Sequence, residues 1–593
     1  MRRKTKHFLF RRVNQKLILK SLKNFKTIAI LGGGPSGLFM LKRIVESGDT
    51  AISIDIFEKQ AQLGAGMPYS NMGANDEHIT NVSGNEIPEL VTSVSEWVTT
   101  LPQDTLNRFN IDPEKFNDYK VMPRLLFGQY LSAQFDLLQQ KGKELGIDID
   151  IQLNTEVTDI IDHPEEDTVE VEFKDKPSRK YDNIIICTGH NWPKKNEGKI
   201  PNYYDSPYPP AKLKFKVNHP VAIKGSSLTA IDAIRTLARH NGMFALDGSG
   251  KLKYSVAEDS KDFRLVMHSR SGMLPAIRFH LEDSHLLKDS VLSKEEILAN
   301  QVENDGFLSL DFVFDKNFKQ MFIEKEPEFY AKIKDMSIED FVASMMALRE
   351  NLEPFQLLKA EYIEAEKSIK RKESVYWKEM LAVLSFAMNY PAKHFSAEDM
   401  LRLQKTLMPL ISIVIAFVPQ SSVEEMIALY DAGVLELISV GDDSKEEPNQ
   451  KEGGAIYHYT DDKNQKQSVH FKTFVDCVGQ PHLPFKDFPY KSLLDNETIS
   501  KAKLKFRYAE KGQKAYSEEQ ENVERYNNED YYLVVPGITI NDNFQIMDKY
   551  DALNERIYIM AVPYIGGYNP DYSGLDFCEA ASATIVKSLL KPE

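Results

Sequence analysis

Near the start of the chain stands Gly32-Gly33-Gly34-Pro35-Ser36-Gly37, a G-x-G-x-x-G run. These residue types at this spacing suit one task, holding the pyrophosphate of a dinucleotide. Gly32 permits a tight turn, Gly34 lets main chain approach the phosphates, and Gly37 lets the following helix lie close to its strand. Pro35 and Ser36 open that helix, expected over 38–46, whose first amides and positive dipole end face the anion. Glu58 follows 21 residues after Gly37, where a carboxylate can accept hydrogen bonds from a ribose diol, and Lys59 lies beside it. Glycines and acid fit NAD as well as FAD.

A second loop of related design is Gly225-Ser226-Ser227-Leu228-Thr229-Ala230. Ser227 stands at the middle-glycine position, so a Cβ and a hydroxyl occupy the approach of a pyrophosphate. Gly225 and Thr229 are its companion candidate contacts. The next apolar run, 263–268, ends in Ser269-Arg270-Ser271-Gly272 with no acid at the ribose position. Arg270 there suits a 2′-phosphate, which favours NADPH over NADH.

The elements that must position these groups can be read from pattern. The runs 26–31 and 52–57 are short and β-branched, as doubly buried parallel strands are. With the glycines and Glu58 they complete a βαβ unit. Residues 219–224, a helix at 231–239 and the strand 263–268 repeat the arrangement. The segment 410–418, interrupted by Ser412 and bounded by Pro409 and Pro419, reads as a buried strand. It is half the length of a membrane-spanning helix. A helix over 422–435, a strand at 437–440 and a closing strand over 471–479 continue the alternation. Residues 281–405 carry helical periodicity, as in 338–352 and 355–370, and form a helical insertion. Residues 443–467 are polar and read as an exposed hairpin or loop. Near the C-terminus a strand at 556–561 precedes Gly566, Gly567 and Pro570, then an amphipathic helix over 575–590 capped by Asp571 or Ser573.

The chain has 593 residues and a formal net charge of −15, which argues against a nucleic-acid partner. Residues 1–26 hold ten Lys or Arg and no acid, leaving 63 bases against 88 acids, or −25, in the remainder. That basic segment is expected to be a disordered extension; a nucleic-acid or membrane-surface tail and a targeting leader are the alternatives. Cys187, Cys477 and Cys578 form neither a CxxC pair nor a metal-ligand cluster. The expectation is a reducing cytoplasm, no metal and no membrane association.

Residues 64–70, 78–82, 123–131 and 184–190 resemble the FAD/NAD(P)-binding family that includes flavin-dependent urate hydroxylase-like proteins. More distantly, the layout is similar to flavin-containing monooxygenases and microbial N-hydroxylases. The resemblance runs in patches over 27–280 and 405–593. It implies an α/β chain with two Rossmann-like dinucleotide-binding domains, the FAD domain discontinuous and the NAD(P) domain inserted in it. The expected boundaries are 27–216 and 481–593 for the FAD domain, 217–280 and 406–480 for the NAD(P) domain, and 281–405 for the insertion. It implies FAD in the first fingerprint, with Tyr69, Arg124, Val157, Thr188, Gly189 and Gly574 as further candidate contacts. Arg124, in the first turn of a helix, is placed to reach a phosphate or adenine, with pairing to a surface acid as the alternative; Tyr69 reads more readily as a packing aromatic than as a flavin contact. A carboxylate contact expected after the last strand is missing, since Ala561-Val562 replaces the Gly-Asp pair. The function so implied is an NADPH-dependent flavoprotein monooxygenase hydroxylating a small polar substrate. An NAD(P)H oxidase or reductase, or a non-catalytic nucleotide-binding module, are the alternatives. No catalytic acid or base stands out; Arg278 and His280 are candidates to face the flavin.

Overall fold

The computed structural model describes residues 25–189, 192–281, 291–461, 463–480, 483–520, 522–526, 529–571 and 574–590. His190, Ser573 and all but the last two residues of the basic segment lie outside these. Two parallel sheets organise the molecule. The first runs in the order Gln545–Met547, Leu553–Ile559, Asn183–Ile186, Lys26–Leu31, Ile52–Phe57 and Asp148–Gln152. Only the Gln545–Met547 edge strand is antiparallel. The expected strands 26–31 and 52–57 are found at those bounds, paired in parallel register from Lys26 with Ile52 to Leu31 with Phe57. The center of this sheet is buried on both faces, including Ile28, Ile30, Ile54, Ile56 and Ile184–Ile186, which is why these strands are runs of apolar residues rather than alternations.

The helix Pro35–Ser47 and the C-terminal helix Gly574–Leu589 pack side by side. Two helices more than five hundred residues apart in sequence therefore build one layer. The second sheet, in the order Tyr203–Tyr204, Thr473–Asp476, Pro220–Lys224, Arg264–Ser269 and Leu435–Ser439, is parallel throughout. Its helix is Leu228–Asn241, with Ala230, Ala233, Ile234, Leu237 and Ala238 buried.

Between the two appearances of the second sheet lies a helical region, Lys294–Glu303 to Met408–Val414, in which Ile338–Asn351 and Pro354–Arg371 match the expected helices closely. The expected strand at 410–418 is a correction: Met408–Val414 is a helix, continuous with an irregular turn at Leu403–Leu407. Pro409 sits in its first turn, where the missing N–H has no intrahelical partner to lose. β-branched residues follow the helix because Leu410, Ile411 and Val414 are wholly buried among other helices, and packing outweighs a propensity of tenths of a kcal/mol. Only Val418 is extended, bridged to Ile277.

The polar segment 443–467 is corrected in part. It belongs to a three-stranded antiparallel sheet, Lys445–Pro448, Ala455–Thr460 and Lys466–Phe471. Ala455, Tyr457 and Phe471 are buried against Ala222, Val266 and Phe474 of the second parallel sheet. Alternating polar residues concealed that inner face.

Candidate nucleotide sites

At the first site the glycine loop and the acid are in register. Glu58 Oε2 accepts from the Gly33 amide at 2.9 Å, and Oε1 accepts from the Gln60 amide at 2.7 Å. The carboxylate is thus held at the strand tip beside the loop. Gly32 has φ +114°, and a Cβ there would meet the Cys187 carbonyl oxygen at 2.6 Å. A Cβ on Gly37 would meet the Gly32 oxygen at 2.2 Å, so the third glycine sets the separation of helix and strand. Gly34 caps the helix without any side chain accepting from its first amides; Pro35 has none to offer, and the Ser36 and Gly37 amides open toward a ligand. The loop 64–70 closes over this end: a Cβ on Gly34 would lie 3.3 Å from Gly66 Cα. Glycine on both sides of that approach sets main chain against main chain at Gly34, a cradle that fits a pyrophosphate.

Beyond Glu58, the side chains of Lys59, Gln60, Asn154, Glu156, Lys174 and Asp175 line an open polar hollow of about 300 Å³. Val157 begins the strand Val157–His163 at its rim. Tyr69 packs edge-to-face on Phe127, with ring centers 4.8 Å apart. Burial pushes its phenol up to about 12, with the Arg124 charge opposing and the Cys578 thiol adding to the shift. Thr188 Oγ1 is buried near the Tyr490 phenol, Gly189 follows it with open space around its Cα, and Gly574 is the first residue of the C-terminal helix, at φ +50°. Cys578 of that helix places Sγ 3.5 Å from Ser36 Oγ, so the chain end reaches the first glycine loop.

Arg124 is placed differently from the phosphate or adenine contact expected of it. It is the first residue of the helix Arg124–Glu144. There its guanidinium is ion-paired with Asp232 of the second-site helix and donates to the Ile79 oxygen at 3.0 Å. Tyr208 donates to the same carboxylate at 2.7 Å. His78, wholly buried, accepts from the Asn75 amide at Nδ1, 3.1 Å, which leaves Nε2–H to donate to the Asp232 main-chain carbonyl oxygen at 3.1 Å. Burial is the largest influence on His78 and lowers its pKa, so the ring is neutral. Arg278 is not turned toward a flavin either: it is buried and donates to the Asn81 oxygen, Ser83 and Glu86. The His280 ring lies 5.0 Å from that of Tyr119, tilted by 31°. Sequence spacing carries no sign of these pairings, because Arg124–Asp232 and Arg278–Glu86 join residues more than a hundred positions apart.

The second site repeats the first in backbone detail. Gly225 has φ +107°, and a Cβ there would meet the Cys477 carbonyl oxygen at 2.9 Å. Ser227 caps the helix at φ −98°, ψ −162°, close to the −77°, −161° of Gly34, and its hydroxyl caps no amide. The serine is exposed. Thr229 Oγ1 lies 3.9 Å from where a Gly479 Cβ would be. Arg270 is 80% exposed, with Asp442 at 3.8 Å as a loose neighbor. The cation expected at the strand tip is therefore accessible.

Comparison with known proteins agrees with the first of these sites. The FAD-NAD(P)-binding family matches residues 29–191, and the YdhS-like middle domain matches residues 293–415. The chain is 26% identical over 578 residues to an uncharacterized protein, YdhS, of Escherichia coli strain K12, covering 96% of this chain and 98% of that one. Among solved structures, similarity extends to the FAD-bound cadaverine monooxygenase of desferrioxamine biosynthesis from Erwinia amylovora. The identity is 11% and the TM-score 0.42, with 95% of this chain and 94% of that chain covered. It extends also to L-lysine 6-monooxygenase from Pseudomonas syringae, at 10% identity and TM-score 0.41, over 95% and 98% of the two chains. No described helix is long and apolar enough to cross a membrane.

Proposed function

We propose that this chain, whose residues 29–191 are an FAD-NAD(P)-binding domain, is an FAD-dependent oxidoreductase that takes its electrons from NADPH and hydroxylates a small polar molecule with oxygen. The observation that carries the reading is the Gly33–Glu58 hydrogen bond at 2.9 Å, which sets a ribose acceptor beside an uncapped helix terminus. When bound, FAD supplies the two-electron and oxygen chemistry. The protein's own residues bind and orient. Ser36 and Gly37 amides hold phosphate, Glu58 holds the sugar, and the 64–70 loop shields the junction from water. The Gly574–Leu589 helix brings its N-terminal end toward the same region, where its dipole favours negative charge. At the second site Arg270 offers a bidentate cation to a 2′-phosphate, and the uncapped amides after Ser227 take the pyrophosphate.

The test begins with the purified full chain. It should show oxidised-flavin absorption and release FAD; a protein that is colourless and takes up no added FAD ends the proposal. Anaerobic NADPH should bleach the flavin faster than NADH does. Oxygen uptake matched by a hydroxylated product supports the monooxygenase, whereas uptake matched by hydrogen peroxide alone assigns an oxidase.

A further inference from the structure

The loop ahead of the C-terminal helix buries a side chain that has no partner. Asn569 is 1% exposed, and both its Oδ1 and Nδ2 are buried without a hydrogen bond. Two residues on, the Asp571 amide donates to Asn389 Oδ1 at 3.0 Å. The loop is thereby tied to residues just beyond the helix Tyr376–Ala387 of the middle helical region. Next to Asn389 stands a second orphan, the buried hydroxyl of Tyr390, whose ring is 6.2 Å from that of Phe544.

The loop that carries Asn569 precedes the helix Gly574–Leu589, whose Cys578 Sγ lies 3.5 Å from Ser36 Oγ at the first glycine loop. Burial pushes the Tyr390 phenol up, and Asp576 and the Cys578 thiol on the C-terminal helix add to the shift. Tyr69 and Cys187 sense the same thiol, and that thiol touches Ser36. Leaving a buried amide unpaired costs about 1–3 kcal/mol, so an unpaired amide beside a ligand site marks a group that the ligand completes. An asparagine offers one acceptor and one donor side by side, and a phenol offers a further donor. That set complements a planar ring edge carrying an N–H between two carbonyl oxygens.

We propose that Asn569 and Tyr390 form the hydrogen-bonding edge that receives the pyrimidine side of the FAD ring, so that the middle helical region supplies part of the cofactor chamber. This rests on the assignment of FAD to the first site. It names Asn569 and Tyr390 as cofactor-binding residues, the second contributed from a segment more than three hundred residues from the glycine loop.

The experiment titrates the full chain, stripped of flavin, with FAD and with N3-methyl-FAD, and records the thermal midpoint of the stripped protein. Wild type should bind N3-methyl-FAD roughly tenfold more weakly than FAD, the worth of one well-made hydrogen bond and its buried partner. Asn569→Leu should lose about tenfold for FAD, show no further loss with the methylated ring, and leave the stripped protein's midpoint unchanged or higher. Tyr390→Phe should weaken FAD several-fold and shift the bound flavin's absorption band. If Asn569→Leu does not fold, the wild-type comparison of the two flavins and Tyr390→Phe still decide. Equal binding of both flavins by wild type, with FAD affinity unaltered in Tyr390→Phe, overturns the assignment while FAD binding itself stands. A wild-type chain that takes up no FAD overturns both.

Discussion

The two glycine loops are nearly the same object built twice. In each, the first glycine has φ above +100° and lies against the carbonyl oxygen of a cysteine, Cys187 or Cys477, at the end of the neighboring parallel strand. In each its amide donates to the strand on the other side, Gly32 to Phe57 and Gly225 to His268, both at 2.8 Å. They part at the next position. Gly34 and Ser227 share one backbone conformation at negative φ, so the glycine is not demanded by the turn. What demands it is the covering loop at Gly66, 3.3 Å from any Cβ. The second loop is open to solvent and admits a serine. The third positions differ in the same sense: Gly37 leaves no room for a methyl group, whereas Ala230 carries one. One loop is therefore closed by a covering loop at its middle position, and the other is exposed there.

The ion pair between Arg124, at the start of the helix Arg124–Glu144, and Asp232, in the helix behind the second loop, is the strongest lever on that contrast. Arg124→Met strands Asp232 as a buried, unpaired carboxylate. It should lower the unfolding free energy by about 3–5 kcal/mol, measured by urea denaturation, and loosen the second unit relative to the first. A loss under 1 kcal/mol would show that the two units do not depend on this contact. Next in size, Gly37→Ala drives a methyl group into the Gly32 carbonyl and should cost about 1–3 kcal/mol together with FAD retention. The reciprocal Ala230→Gly should cost only about 1 kcal/mol, from helix propensity.

Affinity should divide in the same way. Gly34→Ser should weaken FAD at least tenfold, as expected when a side chain intrudes on a close backbone approach, while Ser227→Gly should tighten NADPH several-fold. Equal effects of the two substitutions on their ligands would mean that the loops are not specialised.

A further effect concerns pH. His268, the last but one residue of its strand, is 2% exposed and stacked on Tyr457 with ring centers 4.1 Å apart. Burial lowers its pKa to about 4. Unfolding restores a value near 6.5, so the folded state binds fewer protons in that interval. The full contribution to stability is present above pH 6.5 and is lost as pH falls through 4, by on the order of 3 kcal/mol at most. His268→Phe should flatten denaturation midpoints between pH 6.5 and 4. No change in slope would mean that the ring is protonated inside the second unit.

Much of this was legible before the structure. The strands 26–31 and 52–57, both glycine loops and Glu58 follow from local rules, because a turn, a helix start and a strand tip are each specified within a few residues. Residues 410–418 misled for the opposite reason: a short apolar run states only that it is buried, and neighboring helices decide its conformation. Arg124 misled because its position in a first turn suggests an anion, while Asp232, brought by the second unit, supplies one from the protein itself.

By itself, then, the order of residues determined that two nucleotide loops exist, where each begins, and that the second lacks its middle glycine. Only tertiary structure decided which charges the interface between them consumes, and that Cys578 of the C-terminal helix meets Ser36 of the first loop. Local geometry is governed by torsions and neighbors a few bonds away, whereas burial and pairing depend on which distant segments folding brings together.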